Sequence, residues 1–172
     1  ENEKAFTEDG YFRTGDAGRM EGNTLFFTER IKDLYKTSNG KYIAPQAIEM
    51  VMSGDQYIEQ IAVIGDQRKF VSALIVPAYS LLEKYAEEKG LAVGSREELV
   101  RNKEVLRLIE THIEENQKNL ASYEKIKRFT LLSEPFTMGS ELTDTLKLRR
   151  SVILKKYADS IEKMYEEASN PS

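Results

Sequence analysis

At 172 residues, with 40% hydrophobic and 31% charged side chains, the chain has room for one domain, or for one domain and a piece of another. Its 25 Lys and Arg against 29 Asp and Glu leave a net charge of −4, which argues against a general nucleic-acid binder. The lack of cysteine excludes disulfide and thiol chemistry, the single histidine, His112, excludes a His-rich metal site, and no apolar run approaches membrane-spanning length.

The opening, ENEKAFTEDG, is polar and turn-rich. It has no apolar signal core and no initiating Met, so it is expected to lie inside a longer chain. YFRTGDAGR follows at 11–19, where Thr14 and Gly15 predict a turn presenting Asp16. TLFFT (24–28) suits a strand. DLYKT and KYIA flank Ser38-Asn39-Gly40 and predict a hairpin, with Asn39 and Gly40 supplying positive φ. Pro45 opens a helix at the position where its missing N–H costs nothing; Ile48, Val51 and Met52 form its apolar face, and Gly54 stops it.

The runs 58–66 and 72–78 are continuously apolar and predict two buried strands, antiparallel because their connection is short. From Tyr79 the pattern turns helical, with Leu81, Leu82, Tyr85 and Ala86 in step and an end near Gly90. Ser95 and Glu98 form a capping box. Beyond it Val105, Ile109 and Ile113 recur through one long charged helix ending near Leu120. KRFTLLS (127–133) predicts a third buried strand, and 134–145 a loop. A last amphipathic helix runs over 147–168 with Ile153, Tyr157, Ile161 and Met164 inward. The order predicts an α+β domain, a short antiparallel or mixed sheet with packed helices and a β-hairpin. The first thirty or so residues offer few apolar positions to its core and are assigned to a neighbouring domain.

Several residues are candidates for binding, each with an ordinary structural reading beside it. Asp16 could accept two hydrogen bonds from a vicinal diol such as a ribose, or simply form an Asx turn. Arg30 offers a planar fork to phosphate or hydroxyl oxygens; with Lys32 it also suits a solvated strand edge. Gly40, in Ser38-Asn39-Gly40-Lys41, would let a ligand approach the backbone, or serve only the hairpin. Lys147 could bring a mobile positive charge to a phosphate or carboxylate, or be a helix-start cation in a basic run. His112 is expected to be exposed on its helix without a role, and 97–116 to be a solvated acidic face.

The four stretches YFRTGDAGR, ERIKDLYKTSNGKYIAPQAIE, IEQIAVIGD…SALIVP and LTDTLKLRR, in this order, resemble the last third of an AMP-forming acyl-CoA synthetase. The resemblance is to the long-chain fatty acid–CoA ligase branch of the adenylate-forming superfamily, and it runs from about Phe6 to about Tyr165. It implies that 1–31 end a large nucleotide- and substrate-binding domain and that 32–172 form a mobile C-terminal domain. It further implies that Asp16 bonds the ribose hydroxyls of ATP and acyl-AMP, that Arg30 is a second nucleotide contact, and that Lys32 is the hinge. Ser38, Asn39, Gly40 and Lys41 would form the hairpin lining the CoA path, and Lys147 would be the catalytic lysine of adenylation. ATP/AMP and CoA are the implied substrates together with a fatty acid. Mg2+ is expected, with ligands outside this chain and no metal site within it.

Three positions depart from the family pattern: Asn39 replaces a glycine, Asp144 stands where Pro is frequent, and Ala47 stands where many members have Glu. The implied partner is the large N-terminal domain; no nucleic acid is expected. The implied setting is cytoplasmic, with peripheral membrane contact compatible but not demanded. Two alternatives stay open: a stand-alone interaction or regulatory module of the same fold, and a ligase for another carboxylic acid, since the acyl pocket lies elsewhere.

Overall fold

The structure, a computed structural model, describes residues 6–166, apart from the side chains of residues 17, 19, 27, 28 and 29. The expectations for residues 1–5 and for the helix end at 167–168 lie outside the described residues. The fold is built on a three-stranded sheet. Strand β5 (Ile58–Ile64) pairs antiparallel with β6 (Val71–Pro77), with Ile61 opposite Ile75. Strand β7 (Ile126–Leu131) pairs parallel with the other edge of β6, with Ala73 opposite Phe129. Every residue of β6 is buried, as a central strand covered on both faces requires. The parallel pair needs a long crossover, and three helices fill it: α2 (Tyr79–Glu88), α3 (Arg96–Leu99) and α4 (Lys103–Asn116).

Ahead of this sheet stand two smaller ribbons, β1 (Asp16–Glu21) with β2 (Thr24–Arg30), and β3 (Tyr35–Lys36) with β4 (Tyr42–Ile43). Helix α1 (Pro45–Met52) covers the sheet beside β5, and α5 (Arg150–Lys156) and α6 (Ala158–Glu166) close the chain. The core is continuous from Ile43 to Met164. Among the described side chains, those before Thr37 are all exposed or only partly buried.

Four expectations change. β1 is a strand that the glycines and polar residues of 15–19 did not suggest. Val51 and Leu81 are 38% exposed, each at the rim of its helix's apolar face. The acidic helix read over 97–116 is two helices, because Asn102 caps a second start: its Oδ1 accepts the N–H groups of Glu104 (2.9 Å) and Val105 (3.4 Å); the second ends at Asn116, short of Leu120. The final helix is likewise broken at Tyr157, whose φ of −106° and ψ of 22° leave the helical region.

Polar side chains finish the edges that the short sheet leaves open. The amide of Gln60 pairs with the backbone of Phe136, accepting its N–H at 2.7 Å and donating to its carbonyl at 3.2 Å. Gln117 does the same for Ile126. The Tyr79 hydroxyl donates to the Leu132 carbonyl at 2.8 Å, and burial pushes its pKa to about 12. His112 is not a free surface residue. Its Nδ1 lies 2.7 Å from Asp55 Oδ2, and its ring meets Tyr57 edge-on, tying the loop after α1 to α4. Burial would raise the Asp55 carboxyl, but the Tyr57 N–H, His112 and Asn116 together hold it below the usual range.

Candidate functional site

The residues singled out in the sequence fall on three surface features. The first is the β1–β2 ribbon. Asp16 is the first residue of β1 and lies directly across from Arg30, the last residue of β2. Arg30 Nε is 3.8 Å from Asp16 Oδ1, with both side chains more than a third exposed. The turn before the strand is shaped as expected: Thr14 Oγ1 accepts the Asp16 N–H at 3.2 Å. A carboxylate and a guanidinium on one face of a strand end, open to water, form a rim that can meet a polyhydroxyl, anionic ligand. Exposure makes the pair itself worth little to stability.

The second is the segment from Lys32 to Lys41. Lys32 sits in a single 3-10 turn, Ile31–Asp33, with no buried residue, between two extended residues, Arg30 and Leu34. The hairpin follows. Thr37 and Lys41 close its turn: the Thr37 N–H donates to the Lys41 carbonyl and the Gly40 N–H to the Thr37 carbonyl, both at 2.9 Å. Only Gly40 has the expected positive φ, at 76°; Asn39 does not share it. Its role is different, since its side-chain amide donates to the Lys69 carbonyl at 3.4 Å. With the Ser38 N–H on the Arg68 carbonyl at 2.9 Å, it ties the hairpin tip to the β5–β6 turn. A Cβ on Gly40 would meet nothing within 4 Å, so the tip is open to an approaching molecule.

The third feature is the turn Thr143–Lys147, between the paired residues Leu142 and Leu148. Lys147 is exposed there, and Leu146 beside it adopts φ = 60°. Two latches hold this turn from below. The Arg149 guanidinium donates to the carbonyls of Gly139 and Ser140, each at 3.1 Å. Glu141 is wholly buried and accepts the Thr137 N–H at 3.1 Å and the Lys156 ammonium. Burial alone would raise the Glu141 carboxyl, but the Lys156 and Thr137 hydrogen bonds bring it down to about 2.

A further group, not legible from the sequence, joins the second feature to the third. Arg150, three residues after Lys147, makes a two-pronged bond to Glu49 of α1, 2.8 Å on each arm. Glu49 Oε1 also accepts the Val63 N–H at 2.8 Å on the edge of β5. The Arg150 guanidinium lies 5.6 Å from the centre of the Tyr35 ring at the foot of the hairpin. Thus the structure pairs Asp16 with Arg30, gathers Ser38 to Lys41 in one turn, and places Lys147 on a separate turn braced to the same frame. Among the described residues no group of three or more His, Cys, Asp or Glu could hold a metal ion.

Comparison with known proteins gives this geometry a family. The model of the AMP-binding enzyme C-terminal domain matches residues 32–169. A long-chain-fatty-acid–CoA ligase of Mycobacterium tuberculosis is 32% identical over 95% of this chain and 28% of its own length. Long-chain-fatty-acid–CoA ligase 5 of Mus musculus is 34% identical over 95% of this chain and 25% of its own length. The adenylation domain of a carboxylate reductase from Mycobacterium chelonae superposes with a TM-score of 0.73 at 28% identity, covering 95% of this chain and 24% of that one. The chain thus spans about a quarter of the length of the relatives it matches. It belongs to the family of AMP-binding enzyme C-terminal domains, and its homologues are long-chain fatty acid–CoA ligases.

Proposed function

We propose that this chain acts as the C-terminal part of a long-chain fatty acid–CoA ligase. The observation that carries the reading is the 32–34% identity with such ligases across 95% of the chain, through all three features described above. In the first half-reaction a fatty carboxylate oxygen attacks the α-phosphorus of ATP, giving acyl-AMP and releasing pyrophosphate. In the second the CoA thiol attacks the acyl carbonyl and AMP leaves. Lys147 serves the first step as a positive charge beside the carboxylate and the reacting phosphate, an electrostatic role that needs no proton transfer. Asp16 and Arg30 bind the ribose side of the nucleotide. The open tip of Ser38, Asn39, Gly40 and Lys41 serves the second step, where CoA enters. Mg2+ travels with ATP and takes its protein ligands from the large domain.

Residues 1–31 complete that large domain, residues 32–172 form the mobile unit, and Lys32 is the hinge between them. Supporting this division, the family match begins at residue 32, and among the described side chains the first buried one is Thr37. Lys32 also lies in a short turn in which no residue is buried. Rotation there would exchange the Lys147 turn for the hairpin at one active site, a hinge-type switch. No helix among the described residues is long and apolar enough to cross a membrane. The setting we assign to the parent enzyme is cytoplasmic, with peripheral membrane contact compatible with it.

The test is acyl-CoA formation by the ligase carrying this chain, with ATP, CoA and fatty acids of graded length. Long-chain acids are expected to give the highest kcat/KM. A preference for short or aromatic acids would overturn the substrate assignment, and absence of ATP- and CoA-dependent turnover would overturn the activity.

A further inference from the structure

Three five-residue turns in this chain share one hydrogen-bond pattern. In each, a threonine N–H donates to the carbonyl of the fifth residue, the fourth residue's N–H donates to the threonine carbonyl, and the fifth residue's N–H donates to the threonine Oγ1. For Thr7–Tyr11 the distances are 2.8, 3.0 and 2.9 Å. For Thr37–Lys41 they are 2.9, 2.9 and 3.1 Å. For Thr143–Lys147 they are again 2.9, 2.9 and 3.1 Å.

The pattern places the fourth residue in the left-handed region. In the first two turns that residue is glycine, Gly10 at φ = 87° and Gly40 at 76°, where the conformation costs nothing. In the third it is Leu146, at φ = 60°. A leucine there crowds its own backbone. Burial does not compel it, because Leu146 is 65% exposed. Within the turn it is held by two backbone hydrogen bonds to Thr143 and by the Thr143 hydroxyl, on the frame that Arg149 and Glu141 brace. The peptide between Leu146 and Lys147 carries the N–H that the Thr143 hydroxyl accepts. If that bond is lost, Leu146 can relax to negative φ, which turns this peptide and swings the Lys147 side chain away.

We propose that Thr143 is a positioning residue: its hydroxyl clips Leu146 in the left-handed conformation and thereby aims Lys147. The inference rests on the reading of Lys147 as the adenylation lysine. The equivalent hydroxyls of Thr37 and Thr7 have no such burden, because glycine already stands at the strained position.

The experiment uses the complete ligase and measures two rates separately, fatty-acid-dependent ATP–pyrophosphate exchange and thioester formation from supplied acyl-AMP and CoA. Thr143→Val is expected to lower exchange by about fivefold or more, the equivalent of the strain released, and to leave thioester formation within about twofold. Thr143→Ser keeps the hydroxyl and is expected to match the wild type. Thr143→Val combined with Leu146→Gly is expected to regain most of the lost exchange, because glycine holds the turn unaided. Thr7→Val is expected to leave exchange unchanged. Should Thr143→Val fail to fold, Leu146→Val tests the same clip with Thr143 intact. A β-branched residue is still worse at positive φ, so exchange should fall, while Leu146→Gly alone should preserve it. Full exchange in Thr143→Val, no recovery in the double variant, or equal losses in both rates would overturn the inference. A Lys147→Ala variant run alongside separates the two levels. If it exchanges at the wild-type rate, the reading of Lys147 fails; if it is inactive while the double variant shows no recovery, only the clip fails.

Discussion

At the scale of single residues, Glu141 ties the stability of the loop below the Lys147 turn to pH. It is a fully buried carboxylate whose partners come from two directions, the Thr137 backbone and the Lys156 side chain. Its folded pKa is about 2, against 4.5 for an ordinary glutamate. The unfolded chain therefore takes up the proton first as acid is added. The stability from Glu141 is complete above about pH 4.5 and is lost as the pH falls from there toward 2. Glu141→Gln should cost about 1–3 kcal/mol in denaturant unfolding at neutral pH, through the weakened Thr137 and Lys156 bonds. It should also flatten the pH dependence of stability over that acid window. An unchanged pH profile in the variant would show that Glu141 does not anchor the loop.

At the scale of elements, the Glu49–Arg150 bond joins α1 to the start of α5, with the β5 edge and the Tyr35 ring as further contacts. The hairpin and the Lys147 turn thereby share one brace. Arg150→Ala would leave Glu49, only 13% exposed, without its counter-ion, at a cost of about 2–3 kcal/mol in unfolding free energy. Both half-reactions should slow together, in contrast to a change confined to the Lys147 turn. Arg150→Lys should recover little, since an ammonium cannot reproduce the two-armed geometry. Rate measurements on both half-reactions decide it; a loss in only one would show that the brace serves one turn alone.

These braces also mark where the sequence stops being readable. Local patterns are legible, because periodicity and turn chemistry are properties of neighbouring residues. Val105, Ile109 and Ile113 are buried as their spacing predicts, β5 and β6 pair antiparallel, and Gly40 has the φ that its hairpin demands. Glu49 and Arg150 are 101 positions apart and each looks like an ordinary surface charge until the fold joins them. His112 and Asp55 are hidden in the same way. The breaks at Asn102 and Tyr157 escaped for another reason: neither carries a glycine or proline, and the apolar spacing continues across both. Leu146 at positive φ was unreadable because leucine is among the residues least expected there.

At the scale of the whole molecule, a small α+β unit carries on one frame two turns to which we propose different uses, preceded by an exposed ribbon. Met20 and Leu25 on that ribbon are 62% and 68% exposed, which suits a surface completed by the large domain of the proposed ligase. Division of labour between the two turns is the central claim. The direct measurement is Lys147→Ala in the complete ligase, with the two half-reactions assayed apart. Fatty-acid-dependent ATP–pyrophosphate exchange should fall by about a hundredfold or more, while thioester formation from supplied acyl-AMP and CoA stays within about threefold. Equal losses in the two half-reactions, or exchange at the wild-type rate, would contradict it.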